Sequence, residues 1–129
     1  MIYVEVLKAI YGMLQAALLW YKQFRADLEG IGFKFNNYDP CVANKMVEGK
    51  QQTVRFHLDD LMSSHVNAKV NDKFQEWLQA TYGQINEVQV TRGKKHVYLG
   101  MTVVFHDDGS VTLDMRDYIE GMINDFPII

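Results

Sequence analysis

Val54-Arg55-Phe56-His57-Leu58-Asp59-Asp60-Leu61-Met62-Ser63-Ser64 is the stretch that decides how this chain is read. Val54, Phe56 and Leu58 alternate with Arg55 and His57, the two-residue period of a strand with one buried face. Two aspartates follow and a second extended run begins at once, so the strand is expected to reverse in a tight turn with both acids at its tip. Adjacent carboxylates repel. They are tolerated either in a solvated turn, where Asp bonds its own backbone, or as ligands of a divalent cation. Mg²⁺ suits the second case, because it takes one or two carboxylates and fills its other positions with water and phosphate oxygens. Asp107-Asp108-Gly109 carries a similar pair but has Gly behind it and polar neighbours, and reads as an ordinary hairpin turn. Around Asp59-Asp60 the flanking residues are apolar, which sets those acids on a packed scaffold.

Upstream, Cys41 to Val47 reads as a strand, Glu48-Gly49-Lys50 as a hairpin turn and Gln52 to Leu58 as the return strand. Asn36-Asn37-Tyr38-Asp39-Pro40 is loop chemistry. Before it, Leu7, Ile10, Tyr11, Leu14, Ala17, Leu18, Tyr21, Phe24 and Leu28 recur at spacings of three and four, with Gly30 and Gly32 as the stop. Gly12 interrupts the pattern early, so the helix is expected over residues 13–29. Ile2 to Val6 reads as a short opening strand whose partner lies elsewhere.

Downstream, a helix is expected over 67–82, with Asn67 as N-cap, Val70, Phe74, Trp77 and Leu78 as its buried stripe and Gly83 as its end. A three-strand meander follows: Ile85 to Val90, His96 to Phe105 and Ser110 to Met115, with turns at Arg92-Gly93-Lys94-Lys95 and Asp107-Asp108-Gly109. A last helix, Asp117 to Asp125, is expected to bury Tyr118, Ile119, Met122 and Phe126 and to stop at Pro127. The fold class is α+β: a largely antiparallel sheet with helices on one face, the other face left for solvent, a partner or nucleic acid.

At 129 residues, with 48% hydrophobic and 22% charged content, the chain is expected to form one domain with a true core, which excludes disorder and a coiled-coil rod. Its 13 Lys+Arg against 16 Asp+Glu leave −3, too little to draw in a polyanion by overall charge, so any nucleic-acid contact needs a local basic cluster. Cys41 is the one cysteine and cannot form an internal disulfide. No apolar run approaches a membrane span and no signal-peptide pattern opens the chain, so an intracellular location, cytoplasmic or nuclear, is expected. His57, His65, His96 and His106 match no compact zinc spacing and read as sheet or sheet-edge hydrogen-bonding residues.

Tyr11-Gly12-Met13-Leu14-Gln15-Ala16 with Trp20-Tyr21, Gly32-Phe33, Asp39-Pro40-Cys41, His57-Leu58-Asp59-Asp60-Leu61, Tyr98-Leu99-Gly100-Met101 and Asp117-Tyr118-Ile119 form a series along the chain. In order and spacing this series resembles the reverse transcriptase of copia-type LTR retrotransposons, an RNA-directed DNA polymerase. The resemblance covers about Ile2 to Phe126. It implies a palm subdomain of a right-hand polymerase, a nucleotidyltransferase that uses Mg²⁺ or Mn²⁺ on an RNA or DNA template-primer and dNTPs. Asp59 and Asp60 match the paired acids of the family's Tyr-X-Asp-Asp turn, catalytic and metal-holding in a two-metal reaction. Gln15 matches the glutamine of the helix that supports template and incoming nucleotide. Leu99-Gly100-Met101 matches the primer-grip hairpin, and His57 and Leu58 fall beside the primer end. Arg92, Lys94 and Lys95 could meet backbone phosphates without reading bases, or could be a solvated hairpin tip.

Where the family turn begins with Tyr, this chain has His57, which keeps a planar ring. In the helix, Leu14, Ala17 and Leu18 stand where the family has Lys, Pro and Arg, so two cations are missing and weaker, less salt-sensitive nucleic-acid binding is expected. Family enzymes also carry a further metal-binding Asp on an upstream strand, preceded by fingers, and a thumb and RNase H region downstream. None of these is within the 129 residues, so a palm fragment without autonomous polymerisation is expected. A sheet edge at Ile2 to Val6 would then be open to a second copy, a homodimer contact. Two other readings remain: a non-catalytic module binding protein or single-stranded nucleic acid on a retained palm scaffold, and a small metal-dependent nuclease using Asp59 and Asp60 with Glu5, Asp114 or His65.

Overall fold

The computed structural model describes residues 15–58, 60–84 and 87–126. In chain order the elements are α1 (Ala16–Gly30), β1 (Lys34–Phe35), β2 (Val42–Val47), β3 (Lys50–His57), β4 (Asp60–Ser64), α2 (Ala68–Tyr82), β5 (Lys95–Tyr98), β6 (Met101–Phe105), β7 (Val111–Asp114) and α3 (Arg116–Asp125). The class is α+β and every strand pairing is antiparallel, with the strands divided between a four-stranded sheet, β1-β2-β3-β4, and a three-stranded one, β5-β6-β7. The chain divides into two compact units, Met1–Lys73 and Phe74–Ile129, with the break inside α2. The expected opening strand at Ile2 to Val6, with Glu5 and its edge for a second copy, lies outside the described residues. So do the helical positions before Gln15, the start of the strand at Ile85, and the stop at Pro127.

In the first unit, β2 and β3 pair from Val42↔Arg55 to Val47↔Lys50, and β3 and β4 from Thr53↔Ser64 to His57↔Asp60. Residues directly opposite share a face. One face therefore carries Phe35, Ala43, Gln52, Val54, Phe56 and Ser63, and helices cover it. From α1, Phe24 meets Phe56 edge to face at 4.9 Å, and Leu28 is fully buried. From the first half of α2, Asn71 Oδ1 accepts a 2.8 Å bond from the Ser63 hydroxyl. Burying side chains such as Phe24, Leu28 and Phe56 contributes about 1.5–3 kcal/mol each, which is what holds α1 on the sheet. The other face is open, with Asn44, Thr53, Arg55, His57, Asp60 and Ser64 along it beside Val42, Met46 and Met62. Helices on one face is thus the arrangement of this unit.

The helix α1 does not bury all of its expected stripe. Its inward row runs at four-residue intervals through half-buried Trp20 and buried Phe24 and Leu28, whereas Ala17 and Leu18 turn outward. At α2, Asn67 caps the helix as expected, its Oδ1 accepting the Lys69 N–H at 3.0 Å, and Val70 and Phe74 are buried while Trp77 and Leu78 are half-buried.

In the second unit, residues 87–90 form no strand, although Val88-Gln89-Val90 alternates. The Val88 N–H is donated to the Gln79 side chain at 3.0 Å instead of to a ladder. The single strand expected from His96 to Phe105 is broken into β5 and β6 by a two-residue turn at Leu99-Gly100, with Tyr98 opposite Met101. Asp107-Asp108-Gly109 turns β6 into β7 as expected. On α3 no residue is buried: Tyr118, Ile119 and Met122 stay about half exposed, contrary to the expected stripe. A sheet of three short strands in this unit is too small a layer to cover the helix.

Candidate nucleic-acid and metal site

The β3–β4 hairpin places His57 opposite Asp60 at the end of the ladder. Both are exposed, and Leu58 enters the connection with φ +53°. Asp59, the first acid of the expected pair, lies outside the described residues. Positive φ in a two-residue hairpin loop matches the right-handed twist of the strands. Glu48-Gly49 and Leu99-Gly100 have it at both residues.

The tip is exposed, but what supports it is buried. Phe56, 4% exposed, is surrounded by Phe24, by Tyr21 at 6.0 Å and by Phe35 at 6.2 Å between ring centroids. Trp20 stacks on Phe24 at 5.2 Å, and its indole Nε1–H donates a 2.7 Å hydrogen bond to the Leu58 carbonyl. The Tyr21 hydroxyl donates to the Pro40 carbonyl at 2.9 Å and accepts from Arg25. The loop it holds is fixed internally: Asn36 Oδ1 accepts the N–H groups of Tyr38 and Asp39, and Asp39 Oδ1 accepts that of Cys41. Cys41 is half-buried. Burial first, and the Asp39 charge second, push its thiol pKa up. A raised thiol pKa leaves little thiolate for chemistry.

Gln15 stands at the N-cap of α1, exposed, its carbonyl accepting the Leu19 N–H at 3.0 Å. On the open sheet face, Thr53 Oγ1 and Gln51 Nε2 donate to Asn44 Oδ1 at 2.8 and 3.2 Å, leaving Arg55 exposed between Thr53 and His57. The remaining site candidates belong to the second unit. Leu99 and Gly100 form the β5–β6 turn, with Tyr118 over Gly100, and Met101 opens β6. Arg92 and Lys94 precede β5 and Lys95 begins it; Lys94 pairs with Asp107, which partly neutralises its charge.

Of the partners suggested for a nuclease, His65 and Asp114 are engaged elsewhere, and Glu5 lies outside the described residues. His65 accepts the Asn67 N–H on Nδ1 at 2.9 Å and so donates from Nε2 to the Val47 carbonyl at 3.1 Å, tying the start of α2 to the β2–β3 hairpin. Asp114 is bound by the Arg116 guanidinium and backbone N–H, which hold its pKa down at about 2. His96 bonds Thr91 and Gly93, and His106 bonds Thr112. Among the described residues no group of three His, Cys, Asp or Glu comes together to hold a metal ion. Asp60 fits Mg²⁺ or Mn²⁺ in kind, as an exposed oxygen donor, and one carboxylate suits an ion that keeps most of its water. No helix among the described residues is long and apolar enough to cross a membrane.

At this turn the structure brings together His57, Leu58 and Asp60, and adds Trp20. Trp20 carries no role in the sequence motif; its sequence signal is its position four residues before Phe24, on the inward row of α1.

The chain is 26% identical over 129 residues to the "Putative transposon Ty5-1 protein" of Saccharomyces cerevisiae, covering 96% of this chain and 40% of the yeast protein. It therefore spans about 40% of the length of that curated relative. No solved structure matches. The family model described as reverse transcriptase (RNA-dependent DNA polymerase) matches residues 3–129, nearly the whole sequence, and the chain belongs to that family.

Proposed function

We propose that this chain supplies the palm of a retrotransposon reverse transcriptase, and that its β3–β4 turn serves RNA-directed DNA synthesis in the whole enzyme. The transposon name of the yeast relative supports the retrotransposon source. The observation that carries the reading is the pairing of His57 with Asp60 at the exposed end of a strand whose opposite face is packed under α1. A carboxylate is thereby offered to solvent by a scaffold that does not yield.

In this reading Asp59 and Asp60 would hold Mg²⁺ or Mn²⁺ in the whole enzyme. Such an ion would supply charge neutralisation at the phosphates and a more acidic primer hydroxyl. The primer 3′ hydroxyl gives its proton to water as its oxygen bonds the α-phosphorus of a dNTP, and the bond from that phosphorus to the bridging oxygen breaks, releasing pyrophosphate. His57 offers its ring to the primer end, and Arg55, on the same face, offers its guanidinium to a backbone phosphate. Gln15 supports the nucleotide, Leu58 lies beside the primer, and Leu99-Gly100-Met101 grips it. Arg92, Lys94 and Lys95 meet phosphates, Lys94 with its charge shared with Asp107. The upstream aspartate strand, fingers and thumb of a family enzyme complete the catalyst.

Mn²⁺ titration of the chain, followed by paramagnetic broadening of its amide signals, tests this reading. Broadening should centre on residues 57–61 and vanish in Asp59→Asn/Asp60→Asn. Broadening spread over the surface acids, or unchanged in the double variant, would refute it.

A further inference from the structure

We infer that Trp20 is a positioning residue for the proposed catalytic turn: its indole N–H holds the Leu58 carbonyl and so fixes the backbone that presents Asp60. The inference rests on the reading of that turn given above.

Among the described residues three hairpin connections begin with a non-glycine residue at φ +53°: Glu48, Leu58 and Leu99. At Glu48 and Leu99 the next residue is a glycine, at φ +73° and +74°, which accepts that region without cost. After Leu58 the chain has Asp59 instead, so this hairpin lacks the glycine that supports the other two. A leucine in the left-handed region is itself disfavoured by a factor of about 5–30. Something outside the turn has to hold it.

Trp20 is placed to do so. Its ring lies nearly parallel to Phe24, 5.2 Å away at 14°, and Phe24 in turn meets Phe56 at 88°. Phe56 stands two residues before Leu58 on the same strand. One aromatic row from α1 therefore grips the strand at Phe56 and, through the indole, the turn at Leu58. The donor is oriented before the bond forms, so little freedom is lost in making it, and its 2.7 Å length is at the short end for N–H···O. The Leu58 carbonyl belongs to the peptide unit that leads into the acids, and rotation of that unit changes where they project. Packing alone would need only the ring; holding the turn needs the N–H.

Trp20→Phe keeps a ring on Phe24 and removes the donor. In the 129-residue chain it should remain folded, change the amide shifts of residues 58–61, and weaken Mn²⁺ binding about fivefold, the worth of one ordinary hydrogen bond. Combined with Asp60→Asn it should add little further loss, because both act on one site. If Asp60→Asn weakens Mn²⁺ binding but Trp20→Phe does not, the positioning role is wrong and the reading of the turn stands. If Asp60→Asn has no effect, both fall. Should Trp20→Phe fail to fold, benzothienylalanine at position 20 keeps both rings without the N–H. Unchanged Mn²⁺ affinity in that chain overturns the inference, and a fivefold loss supports it.

Discussion

The Gln52 side-chain amide donates to the Ser63 hydroxyl at 3.1 Å, and Ser63 passes a 2.8 Å bond to Asn71 on α2. Gln52 is 3% exposed and is the buried polar side chain among the described residues. This short relay joins the centre of the β3–β4 hairpin to the helix behind it. Ser63→Ala strands the Gln52 amide in a dry site and should cost about 1–3 kcal/mol in urea unfolding. Gln52→Leu with Ser63→Ala should cost less than the two single changes added together. Strict additivity would mean that the relay is not coupled.

The two sides of α1 should respond very differently. Phe24 is 1% exposed and contacts both Trp20 and Phe56, so Phe24→Ala should cost about 3–5 kcal/mol. Leu18 is 53% exposed, and Leu18→Ala should change stability by less than about 0.5 kcal/mol. Equal losses would put the wrong face of the helix on the sheet.

That exposed position also tests the nucleic-acid surface. Leu18 is exposed at the start of α1, and Leu18→Arg should fold unchanged. Its affinity for a primed template should rise, and the slope of log affinity against log salt should steepen by about 0.9 for a duplex contact. A titration series between low and moderate salt reads both. An unaltered slope would remove the start of α1 from the binding surface.

Arg116 holds the Asp114 carboxyl at about 2, below its ordinary 3.8, chiefly through side-chain hydrogen bonds and then through its backbone N–H. A carboxyl depressed on folding stabilises the native state above its unfolded value, and that contribution is lost as pH falls from about 4 to 2. Arg116→Gln should move the Asp114 titration, followed by carboxyl carbon shifts, up toward 3.8 and flatten the acid dependence in that window. A titration that stays near 2 would assign the depression to another group.

The hairpin around Glu48-Gly49 and the helix behind Asn67 were legible because their signals are local: alternation with a glycine turn, and a capping side chain before a periodic stripe. The Leu99-Gly100 turn was not, since a leucine at positive φ is no turn signal and the run around it is strand-like throughout. Residues 87–90 alternate like a strand but lose the Val88 N–H to a glutamine side chain, a choice made by tertiary contact. β1, of two residues, is too short to carry a period. In the site, the acids and His57 were legible as a motif on an apolar strand. The hold of Trp20 on Leu58 was not, because it spans 38 residues and no spacing rule reaches that far.

In the proposed function the turn carrying Asp59 and Asp60 performs nucleotidyl transfer when the rest of the enzyme is present. The direct measurement is primer extension on a primed RNA template with Mg²⁺ or Mn²⁺, by a copia-type reverse transcriptase whose palm segment is replaced by this chain. Extended primer is expected from that chimera and none from its Asp59→Asn/Asp60→Asn variant. A folded chimera that binds the primed template yet extends nothing, or equal product from the variant, would contradict it.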